Sequence, residues 1–428
     1  LVTRRSSWWQ HLALVVGLLS ITVTAIASAS AFVPVQYFPY GVYGSAVFGV
    51  LVTVALFRTP LFAVSPLARD ALFESIDDGI IVVDATGQAV IPGFVDSHTH
   101  ALFAGDRTDE FEAKLRGTSY EEILAEGGGI LRTVRAVREA SVEELAANLR
   151  AHLDVMLEHG TTTVEVKSGY GLDTETELRM LDAIERAHES HAVDVVATFM
   201  GAHAVPEDSD AEAYTEQVIE EQIPAVAEQG IAEFCDVFCE RDVFTADQTR
   251  RILRAGLEHG LKPKVHADEF ARIGATDAAA DVGAVSADHL LQTDDAGREA
   301  LVDAGVVPVL LPGTAFALGE EYADAGAFLD GETPVALATD FNPNCYSRSM
   351  GFAVTLGCVG MRMTPGQSLR GATHAAARAL DRDDLGTLRE GAPADLLVHG
   401  VSSPVEVPYT LDVNTVETVL KSGVVVRE

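Results

Sequence analysis

An eightfold alternation constrains this chain more than any other feature. From residue 91 onward, apolar runs rich in β-branched residues occur at 91–98, 161–167, 194–203, 232–239, 262–268, 284–290, 306–312 and 335–340, and each precedes a segment with helical spacing. Eight such units within about 290 residues have the count and size of a (β/α)8 barrel, an α/β fold of the TIM type. Helix punctuation agrees with this count. Ser141 and Glu144 have capping-box spacing, and two LEHG stretches, 157–160 and 257–260, end helices on glycine. A doubly wound open sheet is the alternative arrangement of the same units.

In a barrel, chemistry gathers at the C-terminal ends of the strands. His98 and His100 close the first run in FVDSHTH, and two residues apart on a strand they share a face and can grip one metal ion. Three further strand ends carry His266 in KVHADEF, His289 in SADHL and Asp340 in LATDFNPN. Packing does not explain apolar strands that repeatedly end in His or Asp, because an unpaired buried polar group costs a few kcal/mol. His152, His159, His188, His191 and His259 fall within or at the ends of helical segments and read as surface or capping residues, while His374 reads as packing. Cys235 and Cys239 lie four apart on one strand with no second pair and read as buried apolar thiols.

The stretches HTHALFAGDR (98–107), EVKSGYGL (165–172), FMGAHAVP (199–206), KVHADEF (264–270), ADHL (287–290), DFNPN (340–344) and VPYTLDVNTVETVLKSG (407–423), with the tail GTLREGAPADLLV, resemble the amidohydrolase superfamily of metal-dependent barrel hydrolases and, within it, the imidazolonepropionase family. The resemblance covers about residues 83–428. It implies hydrolysis of the ring carbon–nitrogen bond of 4-imidazolone-5-propanoate to N-formimino-L-glutamate in histidine degradation, in the cytoplasm, by a homodimer. It implies one zinc or iron ion held by His98, His100, His266 and Asp340, with His289 and Asp340 as the unranked candidates for moving the water proton. Glu269 is placed against the imidazolone ring, Arg107 on the propanoate carboxylate, and Tyr170, His203, Asn342, Asn344 and Cys345 at substrate-contacting positions. Cys345 stands where many relatives carry a small hydroxyl residue. Lys167 is similar to the carboxylated, metal-bridging lysine of two-metal amidohydrolases, yet the imidazolonepropionase pattern makes it no ligand. The rival readings are another cyclic amidase or deaminase on the same barrel, and a non-catalytic membrane-tethered ligand-binding module.

Composition separates this barrel from what precedes it. Residues 1–65 contain Arg4, Arg5 and Arg58 and no acid, whereas the remaining 363 residues carry 27 basic against 64 acidic groups. Such an acidic surface repels phosphate backbones and argues against a nucleic-acid partner. Only five of the 30 basic residues are lysine, a balance suited to high salt, and four clustered cysteines are too few for a disulfide framework.

In the first 65 residues, Leu12–Phe32 has the length of one membrane span and Gly41–Phe57 the lower limit of a second. Flanking arginines put both ends inside, so residues 1–64 read as a membrane hairpin and 65–82 as a linker. A secretory signal cleaved near the ASASA at 27–31 is the alternative. Residues 65–84 resemble the segment that follows the last membrane helix in archaeal sensor histidine kinases. The family's N-terminal strands are thus largely replaced. The expected organisation is a barrel over 91–385 and an incomplete small β-sandwich from 83–90 and 386–428, its tail strands short of partners and exposing an edge.

Overall fold

Gly93 divides what reads as one strand at 91–98. Its N–H donates to the Asp395 carbonyl at 2.9 Å, and the next N–H, of Phe94, donates to the Gly160 carbonyl at 3.0 Å, in a different sheet. A Cβ at residue 93 would lie 2.2 Å from Thr162 Oγ1, so only glycine lets the two sheets meet here. The expected first barrel strand is therefore two elements, β1 (Ala89–Pro92) and β2 (Phe94–Asp96). The computed structural model describes residues 83–428 apart from 120, 121, 124–126 and 330–333.

The other seven barrel strands fall inside their predicted runs. They are β3 (Thr161–Lys167), β4 (Asp194–Ala202), β5 (Phe234–Cys239), β6 (Lys262–Ala267), β7 (Ser286–His289), β8 (Val307–Leu310) and β9 (Ala336–Leu337). β2 to β9 form one eight-stranded sheet in chain order, with parallel neighbours. Closure comes just past the strand ends. Asp340 N–H donates to the His98 carbonyl at 3.1 Å and His100 N–H to the Phe341 carbonyl at 2.9 Å. Below them, buried Asp96 accepts from Thr339 N–H at 3.0 Å and its hydroxyl at 2.6 Å. The arrangement is the (β/α)8 barrel rather than the open sheet.

Helices follow the strands on the outside. The capping box at Ser141 starts Val142–Glu158, and both LEHG helices end on histidine followed by Gly160 and Gly260, each with positive φ. Cys235 and Cys239 are buried in β5 among apolar side chains, as their spacing suggested. His152 corrects its expectation. It is buried, its Nδ1 donates to the Ala101 carbonyl at 2.8 Å, and its ring packs against Phe103 and Phe341.

The tail strands are not left without partners. β10 (Leu396–His399), β11 (Val416–Lys421) and β12 (Val424–Arg427) form an antiparallel sheet in the order β1-β10-β11-β12, with β1 covering β10. Four residues suffice because every position of β1 pairs with β10. Among the described residues no helix is long and apolar enough to cross a membrane. The expected hairpin and linker at 1–82 lie outside the described residues.

Candidate active site

Four imidazoles and one carboxylate converge at the mouth of the barrel. His98 and His100 leave the end of β2, His266 stands on β6, His289 ends β7 and Asp340 follows β9. Asp340 Oδ1 lies 3.6 Å from His98 Nε2 and 3.7 Å from His100 Nε2, while His100 Nε2 and His266 Nε2 face each other at 3.2 Å. The side-chain donors of His98, His100 and Asp340 lie within 4.8 Å of one another, and so do those of His98, His266 and His289.

The nitrogens are set up for a cation. His98 Nδ1 is 2.6 Å from Asp288 Oδ2, and His266 Nδ1 is 3.0 Å from Asp236 Oδ1. A proton held on each Nδ1 by its carboxylate leaves the Nε2 lone pair turned toward the cluster. Among the described residues, His98 Nε2 is buried and has no hydrogen-bond partner. Burial, then the nearby Lys167 cation and neighbouring imidazoles, holds His98 far below the ordinary histidine range. Burial with His203 and His266 does the same to His100. Neutral nitrogens turned inward beside a carboxylate fit a metal ion well and a proton poorly.

A charged layer lies directly beneath. Lys167 Nζ sits 2.7 Å from both Glu165 Oε2 and Asp236 Oδ2, and Lys264 Nζ sits 3.0 Å from Glu165 Oε1 and 3.9 Å from Asp288 Oδ2, all with fully buried side chains. Burial alone would raise Asp236, but His266 and Lys167 outweigh it and hold the carboxyl well below its usual range. Burial raises Asp288 to about 6. Lys167 is thus locked in ion pairs with Glu165 and Asp236.

Of the remaining predicted residues, Glu269, Tyr170, His203 and Asn342 contact members of the cluster, whereas the hydrogen bonds of Arg107, Asn344 and Cys345 go to other groups. Neither ring nitrogen of His289 has a hydrogen-bond partner among the described residues, and its Nε2 lies 3.6 Å from Glu269 Oε2. Burial, then Asp340 and Glu240, raises Glu269 well above the usual carboxyl range. Burial also raises Asp340, whose Oδ2 accepts from Thr314 Oγ1 at 2.5 Å and whose Oδ1 accepts from Asn342 Nδ2 at 3.0 Å.

His203 stacks on His100 at 4.7 Å, Tyr170 lies 5.9 Å from the His100 ring, and His203 Nδ1 donates to the Gly169 carbonyl at 3.0 Å. Burial lowers His203 to about 3. Arg107 precedes helix Thr108–Leu115, and its Nε donates to Glu110 Oε2 at 2.6 Å. Asn342 Oδ1 accepts from the N–H groups of Asn344 and Cys345, shaping the turn, and Asn344 Oδ1 accepts from Lys114. Cys345 is buried, its Sγ lies 3.6 Å from the Thr339 carbonyl, and burial pushes its thiol up to about 12.

Sequence reasoning missed Asp236, Asp288, Glu165 and Lys264. One signal was present, since acids and lysines inside apolar strands demand partners. The two-residue strand period puts Lys264 with His266 and Glu165 with Lys167 on common faces. For Asp288 the period misleads. Consecutive strand residues face opposite ways, yet Asp288 and His289 both serve the centre because His289 has φ of 80° and turns back inward.

The pattern of the amidohydrolase family matches residues 89–426. The chain is 67% identical over 345 residues to the imidazolonepropionase of Haloarcula marismortui, covering 80% of this chain and 82% of that protein. It is 63% identical over 356 residues to the imidazolonepropionase of Halobacterium salinarum, covering 82% and 85%. Among solved structures, the 5-methylcytosine deaminase from Klebsiella pneumoniae superposes with a TM-score of 0.66 at 19% identity, covering 82% of this chain and 90% of that one, a likeness of fold alone.

Proposed function

The chain belongs to the amidohydrolase family, where it groups with the imidazolonepropionases and hydrolyses imidazolonepropanoate in histidine degradation, and from that premise we propose how its residues divide the work. The reaction adds water across the ring amide. The carbonyl carbon gains an oxygen, its bond to the ring nitrogen breaks, and that nitrogen takes up a proton. In our reading His98, His100, His266 and Asp340 hold one zinc or iron ion. When bound, such an ion polarises a carbonyl and lowers the pKa of water. The observation that carries this assignment is the meeting of unpartnered His98 Nε2 with the facing nitrogens of His100 and His266.

His289 takes the water proton. Asp340 is committed to Thr314, Asn342 and the two histidines, whereas both ring nitrogens of His289 are open and burial holds it neutral, able to accept. Glu269, kept protonated by burial 3.6 Å from His289, faces the ring and donates to the departing nitrogen. Arg107, its fork steadied by Glu110, binds the propanoate carboxylate. Tyr170 and His203 line the ring, and Asn342, Asn344 and Cys345 shape the loop against which substrate and product rest. A purine has no carboxylate for Arg107, which disfavours the deaminase reading.

The test is loss of imidazolone absorbance on adding the protein with zinc or iron. His266→Ala should abolish both turnover and bound metal, whereas His289→Ala should abolish turnover and keep the metal. Metal lost in His289→Ala would make His289 a ligand and overturn the division. Metal analysis of active protein decides zinc against iron, and sedimentation tests a homodimer. The composition of residues 12–57 is what supports a membrane tether on a cytoplasmic enzyme. A fully soluble, uncleaved chain on fractionation would refute that tether.

A further inference from the structure

The loop after β3, SGYGL at 168–172, has no regular structure, yet four of its residues are fastened to one side chain. Glu177, in the first turn of helix Thr174–Glu189, is fully buried. Its Oε1 accepts from Gly171 N–H at 2.8 Å and Leu172 N–H at 2.9 Å, and its Oε2 accepts from Gly169 N–H at 2.9 Å. The Ser168 hydroxyl is a further hydrogen-bond partner. Three N–H groups converging on one carboxylate require backbone shapes that side chains resist. Gly169 has φ of 98° and Leu172 φ of 56°, and a Cβ on Gly171 would lie 2.8 Å from Glu177 Oε1.

This clasp has two outlets to the mouth of the barrel. Tyr170 lies between the fastened residues, and its ring is 5.3 Å from that of His203. The Gly169 carbonyl, on the residue whose N–H Glu177 holds, accepts from His203 Nδ1 at 3.0 Å. That bond places the proton on Nδ1 and sets the face on which His203 stacks against His100.

We propose that Glu177 is a positioning residue for substrate binding, which fixes the ring of Tyr170 and the tautomer and tilt of His203 through the loop it clasps, without itself touching substrate. The inference rests on the reading that Tyr170 and His203 contact the imidazolone. Glu177 lies outside the ligand set, so its loss acts on binding rather than on the metal-dependent step.

The test uses the full chain loaded with metal and a KM-against-kcat split. Glu177→Gln keeps shape but turns an amide NH2 toward an N–H, and we expect KM to rise about tenfold with kcat changed less than about threefold and metal content unaltered. Tyr170→Phe and the double variant complete a cycle, with the double variant expected to raise KM by less than the product of the two single effects. Gly171→Ala, which presses on the same carboxylate without removing a buried charge, should show the same split and serves if Glu177→Gln fails to fold. Unchanged KM in Glu177→Gln or Gly171→Ala, a fall in kcat at constant KM, or multiplicative effects in the double variant would overturn the proposal. An unaltered KM in Tyr170→Phe alone would instead sink the substrate role of that tyrosine.

Discussion

The mouth of the barrel and the layer just beneath it are built from titratable side chains of equal burial, yet they are finished differently. At the mouth, His98 Nε2 and both nitrogens of His289 have no hydrogen-bond partner among the described residues. One step below, Lys167 and Lys264 bind Glu165, Asp236 and Asp288 in contacts of 2.7 to 3.9 Å. Leaving polar atoms unpaired in a buried site costs free energy unless a ligand completes them. In the division of work proposed above, the unfinished layer is the part that acts, and the finished layer holds it still. Asp236 and Asp288 join the two, each turning one imidazole so that its other nitrogen points to the centre.

Breaking each layer should give a different signature. The largest effect is expected at the mouth: His266→Ala should lower turnover by about a thousandfold or more, read as imidazolone absorbance, with bound metal lost and the fold kept. Below it, Lys167→Met strips Asp236 of its lysine and leaves Glu165 paired with Lys264 alone. Urea unfolding of this variant should show a loss of about 3–5 kcal/mol, because removing one member of a buried ion pair strands the others. A loss below about 1 kcal/mol would mean that the lower layer is not held together by charge.

At the joint, Asp288→Asn should weaken metal affinity by about 10–100-fold, since an amide orients His98 Nδ1 less firmly than a carboxylate. Competition with a chelator reads this directly. Equal affinity in variant and parent would dissolve the link between the layers.

Acid should separate the layers more gently. His98, His100, His203 and His289 are all lowered in the fold, so below pH 6.5 the unfolded chain binds protons that the folded chain refuses. Their contribution is complete above pH 6.5 and is lost as pH falls, at up to about 1.4 kcal/mol per pH unit for each imidazole. Asp96, raised to about 7, Asp288, raised to about 6, and Glu269, raised well above the usual carboxyl range, work the other way over that interval, because the folded chain keeps their protons, and they offset part of the imidazole contribution. Urea midpoints of metal-free protein between about pH 7.5 and 5.5 should therefore fall, and a flat profile would show that the mouth histidines are not held neutral.

Much of the barrel was legible because burial writes itself into a strand. The run TTTVEVK is buried at every position, and the histidine-ended runs stop where the structure places the mouth. The break at Gly93 was not legible. Nothing in AVIPGFVD shows that one half pairs with β10 and the other with β3, since that depends on Asp395 and Gly160 arriving from distant parts of the chain. His152 was misread for a similar reason, because helical spacing cannot tell that its helix lays that face against Phe103 and Phe341.

By itself the sequence determined the strand count, the residue types at the strand ends and the family, because periodicity, burial and motif are properties of neighbours along the chain. Tertiary structure alone decided which nitrogen of each histidine is free, that Lys167 is spoken for, and that Asp288 and His289 serve one centre from adjacent positions. Those outcomes depend on hydrogen bonds between strands far apart in sequence and on a left-handed turn at His289, and no local pattern encodes either.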